Sequence, residues 1–273
     1  MLKNLLKYDL KYVYKHLIYI YILTIVCALL TNLFGIFADN SFILVAIGIT
    51  FKIMTFVLII TSFIYSIIRL WSRFKNNLYG DESYLIHTLP VTKKDIYLSK
   101  ILTAVIVTLT SIIVLAVSLF IIVDHNTFFA TIQSFNLCTN EIDCTSMATC
   151  SCEYSDVISQ FLTITLILFL EVIFIILTGY FAIIMGHKVN KNRMTNSIIW
   201  GIAIYFLCQA CNILFLFLVG LFNKEVFNMF FNATATNSAI RAIMILVILI
   251  YVSYNISYYI IGKKELEKGI DVD

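Results

Sequence analysis

One carboxylate, Glu171, lies deep inside the apolar run Val157–Gly186. A charge at the centre of a bilayer costs about 2.5–3.5 kcal/mol on insertion scales, so such a group faces the protein interior, is protonated or finds a partner. Two roles are open to it: a step in a translocation path, or a structural hydrogen bond between helices. Asn196, Gln209 and Asn212, in and just before the next apolar run, divide in the same way between lining a path and joining helices. Lys52 and Arg241 lie toward the ends of their runs, where long side chains can snorkel to water.

A second reactive set is Cys138, Cys144, Cys150 and Cys152, all within residues 124–158. On an oxidising side of a membrane they can form disulfides, in any of three pairings; free thiols are the alternative. The spacing C-x5-C-x5-C-x-C lacks the C-x2-C pairs typical of zinc, so no metal is assigned. Cys27, Cys208 and Cys211 fall in apolar runs and read as packed side chains.

Other chemistry is missing. No G-x-x-x-x-G-K-[ST] phosphate loop occurs, and His16, His87, His125 and His187 are scattered outside any H-E-x-x-H. No G-x-S-x-G elbow occurs either. The chain is therefore not expected to be an enzyme or to hold a cofactor of its own, and no nucleic-acid partner is expected.

The elements that must position these residues follow from composition. Of 273 residues, 61% are hydrophobic and 13% charged, and the mean hydropathy is +0.95. Soluble domains carry about 45–50% apolar and 25% charged residues, so this chain has too little polar surface to fold in water alone. A spanning helix needs about 20 apolar residues. Six runs qualify: Leu17–Ala38, Ile53–Leu70, Ile101–Val123, Val157–Gly186, Ser197–Phe222 and Ala242–Ile261. The alternation of a membrane barrel is absent. The expected fold is an all-α integral membrane protein with six transmembrane helices, forming one domain over residues 1–273. The short apolar run Phe42–Phe51 either extends the second helix or lies at the interface. The first span is expected to remain as an anchor, because no small-residue cleavage pattern follows it.

Lys and Arg set the expected orientation. Sixteen of the 19 cluster in the N-terminal segment, in residues 69–100, in residues 188–193 and in the C-terminal tail, whereas residues 124–158 have none. The positive-inside rule puts both termini and residues 71–100 in the cytoplasm and residues 124–158 outside, in a plasma membrane. Residues 1–16 are expected as an interfacial helix: Leu2, Leu5, Leu6, Leu10, Val13 and Leu17 fall within an arc of about 140°, with four lysines opposite. Asp9 falls inside the leucine arc, either as an edge residue reaching water or as a partner for a Lys or Arg. Tyrosines near both ends of the chain read as an aromatic belt.

The most polar stretch is GDESYLIHTLPVTKKDIYLSK, residues 80–100, which holds the single proline, Pro90. Gly80 breaks the preceding helix, and Glu82–His87 is long enough for one or two helical turns. Pro90 ends them, since the residue before proline avoids the helical region. Thr92-Lys93-Lys94-Asp95 then has the [ST]-x-x-[DE] form of a capping box.

Gly80-Asp81-Glu82-Ser83-Tyr84-Leu85, Thr88-Leu89-Pro90-Val91-Thr92 and Ser99-Lys100 resemble the segment between the second and third spans of bacterial permeases of the type 2 ABC exporter family. That family often shows GDEGYL, TLPVS and SK there; Ser83 and Thr92 depart from it. The resemblance implies a coupling helix docking on a separate cytoplasmic ABC ATPase subunit, which binds ATP and Mg. It implies also a second permease copy or paralogue. Glu82, Tyr84, Leu85, His87, Leu89 and Pro90 would form the docking element, with Lys93, Lys94 and Asp95 as its polar border. The cargo would be an amphiphilic peptide, a drug or a lipid-like compound moving outward. Two other readings stand beside it: an ATP-independent membrane immunity or binding protein, and a proton-coupled secondary transporter using Glu171.

Overall fold

The computed structural model describes residues 2–36, 42–80, 83, 92–122, 154–188, 192–222, 226–227 and 237–268. Six long helices account for most of them: α1 (Leu2–Ile36), α2 (Phe42–Tyr79), α3 (Lys93–Ile122), α4 (Tyr154–Gly186), α5 (Arg193–Phe222) and α6 (Asn237–Glu267). Each is long and apolar enough to cross a membrane, and the described residues contain no strand. The chain is a multi-pass helical membrane protein.

Four of the six expected spans lie wholly within these helices; Leu17–Ala38 and Ile101–Val123 match α1 and α3 up to the last described residues, Ile36 and Ile122, and every helix extends beyond its run at one end at least. The run Phe42–Phe51 belongs to α2, which at about 1.5 Å per residue is roughly 57 Å long, well beyond a hydrocarbon core of about 30 Å. Its surplus at one end carries Arg69, Arg73, Lys75 and Asn77.

The expected interfacial helix of residues 1–16 is not a separate element. It continues without a break through Leu17 into α1, because no Gly or Pro occurs before Gly35. Its apolar arc also packs on protein: Val13 and Leu17 are fully buried, in one core with Leu70, Phe74 and Val107. Tyr14 hydrogen-bonds Thr110 at 2.8 Å and Tyr21 hydrogen-bonds Ser111 at 2.6 Å, seaming α1 to α3.

The helices pack in two groups. In the first, α1 lies against both α2 and α3; in the second, α4 lies between α5 and α6. Contacts of α4 with α2 and α3, and of α3 with α6, join the groups. The centre of α4 is buried accordingly, from Val172 through Ile184. Two glycines permit close approach. A Cβ at Gly179 would overlap the Trp71 indole, and one at Gly186 would overlap Ser197 at the start of α5. The Lys188–Glu265 ion pair, the stacked Tyr79 and His187 rings (4.0 Å) and the Asp9–Arg73 bond bring the start of α1, the end of α2 and the ends of α4 and α6 to one end of the bundle.

Candidate functional site

Three helices meet around one buried carboxylate. Asp9 on α1, 2% exposed, accepts hydrogen bonds from Lys100 Nζ on α3 with both oxygens, each at 2.7 Å. Arg73 Nε on α2 donates to Oδ1 at 3.0 Å, and Asn77 Nδ2 donates to the same oxygen at 3.2 Å. Lys100 is itself only 4% exposed. A buried ion must be paired and hydrogen-bonded to be tolerated, and here four donated bonds surround one carboxylate. The leucine-arc position of Asp9 is thus resolved as a partner for Lys and Arg; the edge position reaching water does not occur.

Tyr12 adds to this junction. Its ring lies 4.6 Å from the Arg69 guanidinium and 4.6 Å from that of Arg73. Arg69 also donates to the Tyr12 carbonyl at 3.4 Å. Tyr12 therefore holds two cations by its ring face rather than serving an aromatic belt. Of the other tyrosines read as a belt, Tyr19 is strongly exposed, whereas Tyr21 and Tyr258 are buried in the core.

This junction ties the end of α2, through Asn77, to the start of α3, through Lys100. Gly80 closes α2, with its N–H donating to the Asn76 carbonyl at 3.2 Å, and the N–H of Ser83 donates to the Gly80 carbonyl at 2.9 Å. At the other side the Thr92 cap forms. The Asp95 N–H approaches Thr92 Oγ1 at 3.3 Å, and the Asp95 carboxylate accepts from the same hydroxyl at 2.9 Å. A full capping box would return the carboxylate to a backbone N–H; here it locks the Thr92 rotamer and sets negative charge at the helix start. Lys93 and Lys94 lie in that first turn. Glu82, Tyr84, Leu85, His87, Leu89 and Pro90 lie outside the described residues, as do Cys138, Cys144, Cys150 and Cys152.

The residues expected in a translocation path are only partly gathered. Glu171 is half-buried on α4, close enough to Tyr251 on α6 to act on it electrostatically. Asn212 donates to Gln209 Oε1 at 3.2 Å, so this pair is joined along α5 and not across helices. Asn196 lies near the start of α5, about 24 Å along the helix axis from Asn212 at 1.5 Å per residue, and so at another depth. Cross-helix bonds come instead from residues that carried no sequence signal. Asn255 donates to the Leu170 carbonyl at 3.2 Å, Trp71 Nε1 to the Ile176 carbonyl at 3.2 Å, and Tyr97 to the Tyr258 carbonyl at 3.3 Å. Cys27 and Cys208 are buried as packed side chains, with Cys208 Sγ 3.2 Å from the Tyr258 hydroxyl.

A second feature lies between α2, α4 and α5. A cavity of about 430 Å3 is lined by Trp71, Gly179, Ala182, Gly201, Ile202 and Phe206, among others. Its volume is that of ordinary ligand clefts, roughly 300–1,000 Å3.

The fold and the junction define a class, a membrane protein whose described residues form six long apolar helices, the first three tied together by one buried ion cluster. Comparisons with family models, with curated proteins and with solved structures returned no match.

Proposed function

We propose that the chain is the membrane-spanning subunit of an ATP-driven exporter. It lies in the plasma membrane with both termini cytoplasmic. A separate cytoplasmic ATPase, with its ATP and Mg, docks on residues 82–90, and a second permease copy or paralogue completes the unit. The cargo is an amphiphilic peptide, a drug or a lipid-like compound.

The observation that carries this reading is the way the α2–α3 connection is held. Its motif resembles the docking segment of such permeases. Its described ends are the Gly80 stop and the Thr92–Asp95 cap, and the helices that carry them, α2 and α3, are both tied to α1 through Asp9, Arg73 and Lys100. A push on the segment from the cytoplasm would reach α1, α2 and α3 together, because one carboxylate ties all three.

The test is affinity purification of the tagged protein in mild detergent, from cells expressing its candidate ATPase. The expected result is a stoichiometric ATPase that is lost when Leu85 and Leu89 are both replaced by Glu, with membrane insertion unchanged. A preparation without ATPase, or copurification indifferent to these changes, overturns the proposal.

A further inference from the structure

Three contacts set the register of α4 against α5. A Cβ at Gly186 would overlap Ser197, a Cβ at Gly201 would lie 3.3 Å from the Ala182 methyl, and the rings of Phe174 and Tyr205 are 6.4 Å apart. The two helices therefore run antiparallel, with Ala182 beside Gly201. Glu171 stands eleven residues before Ala182, and Asn212 eleven residues after Gly201. Eleven residues make three turns and about 20°, so both positions return to the facing stripe, about 16 Å from the Ala182–Gly201 contact. Glu171 and Asn212 thus share one depth and one seam. On its other side α4 meets α6 at the same depth. Asn255 Nδ2 donates to the carbonyl of Leu170, the residue before Glu171, at 3.2 Å. The Phe174 ring, one turn on, lies 5.6 Å from those of both Tyr251 and Tyr254.

The polar groups gathered here are out of balance. The donor end of each amide is engaged, Asn212 with Gln209 and Asn255 with Leu170. Their acceptor ends, Asn212 Oδ1 and Asn255 Oδ1, are buried with no hydrogen-bond partner among the described residues, and so is the Tyr254 hydroxyl. Glu171 takes part in no ion pair or hydrogen bond among the described residues. A buried polar atom without a partner is costly, above all in a bilayer. Oxygens of this kind are satisfied together by something positive. A proton on Glu171 would serve one of them and leave the rest unpaired. One carboxylate among neutral amides matches a single positive charge and would leave a divalent ion uncompensated in a low dielectric. Carboxylate and amide oxygens also suit a hard ion better than a soft one.

We infer that Glu171, Asn212 and Asn255, with the Tyr254 hydroxyl, form a binding site between α4, α5 and α6 for one small monovalent cation, a sodium ion or a primary ammonium group. Both present the same chemistry, one positive charge shared among several oxygens. The site needs no ATPase to fill, so it stands or falls apart from the exporter reading.

The test uses the purified chain in detergent, without any ATPase. Binding of radiolabelled sodium is measured at constant ionic strength with choline as the replacement cation, and butylammonium serves as the competing probe. One saturable sodium per chain, displaced by unlabelled sodium, assigns the ion. No sodium uptake, with a Tm raised by butylammonium and not by choline, assigns the ammonium group. In either case Glu171→Gln should abolish the effect. Asn212→Leu, which removes one oxygen at similar volume, should weaken it about tenfold or more. Both variants are first shown to unfold cooperatively in choline; should Glu171→Gln fail to fold, Asn212→Leu decides. A chain that responds to neither cation overturns the proposal, because the oxygens are then satisfied by a proton on Glu171 or by water. Binding that survives Glu171→Gln, or is undiminished in Asn212→Leu, overturns it as well, because the cation then sits elsewhere.

Discussion

Replacing Asp9 by asparagine removes the charge on which cations from two other helices converge, while nearly keeping its shape. Lys100 would remain 4% exposed with its nearest counter-charge gone, and Arg73 would lose a 3.0 Å partner. Removing one member of a buried pair costs about 3–5 kcal/mol, mostly because the remaining ion is stranded. Asparagine still offers one oxygen, and Arg73 still lies against the Tyr12 ring, so the low end, about 3 kcal/mol, is expected. For a chain of this size that lowers the Tm by about 6–12 °C. The assay is thermal unfolding in detergent, followed by tryptophan emission and by protease sensitivity. Lys100→Met in the same chain should recover most of the loss, since the buried cation is then gone, giving a coupling of at least about 2 kcal/mol. An Asp9→Asn shift within the 0.5 kcal/mol or so of an ordinary surface change would refute the reasoning. Strict additivity of the two substitutions would refute it equally.

Two further outcomes follow from named contacts. Gly179→Val would drive a side chain into the Trp71 indole and should destabilise by about 1–3 kcal/mol, while Gly220→Ala, whose Cβ meets open space, should leave the Tm nearly unchanged; equal effects would show that the indole is not seated there. His187 has its pKa held below the ordinary value, first by burial and then by Lys75 and Arg193, against the 2.8 Å contact of its Nδ1 with the Ile183 carbonyl. The folded state therefore binds this proton less readily than the unfolded chain, and stability should fall as pH drops through the ordinary histidine value of about 6.5. His187→Gln should flatten that part of the Tm–pH curve, and an identical slope in both proteins would count against a shifted histidine.

The helices were legible because a bilayer imposes one rule, a long apolar run with its backbone bonds satisfied internally, and six runs obey it. The Thr92 cap was legible for a similar reason: it needs only residues three apart. The junction was half legible. Asp9 stood out as a charge in an apolar arc, but Arg73 and Lys100 lie 64 and 91 residues away, and periodicity cannot choose them among 19 cations. The same limit hid Asn255, inside an apolar run, and Trp71, just past the end of one, until the carbonyls of α4 were seen beside them. Residues 2–17 misled in another way. An amphipathic arc signals only that one face avoids water, and the protein core satisfies that demand as well as a lipid surface does.

The Asp9 junction also constrains biogenesis. Chains fold as they emerge, N-terminal segments first. Asp9 leaves the ribosome long before Lys100, so α1 carries an uncompensated carboxylate through its own insertion. Arg73 arrives with the end of α2 and offers a provisional partner, and Lys100 completes the set only when α3 has begun. The first three helices thus have a built-in order of assembly, with closure of the ion cluster as the step that ends it. A chain truncated after α2 would keep this carboxylate only half neutralised.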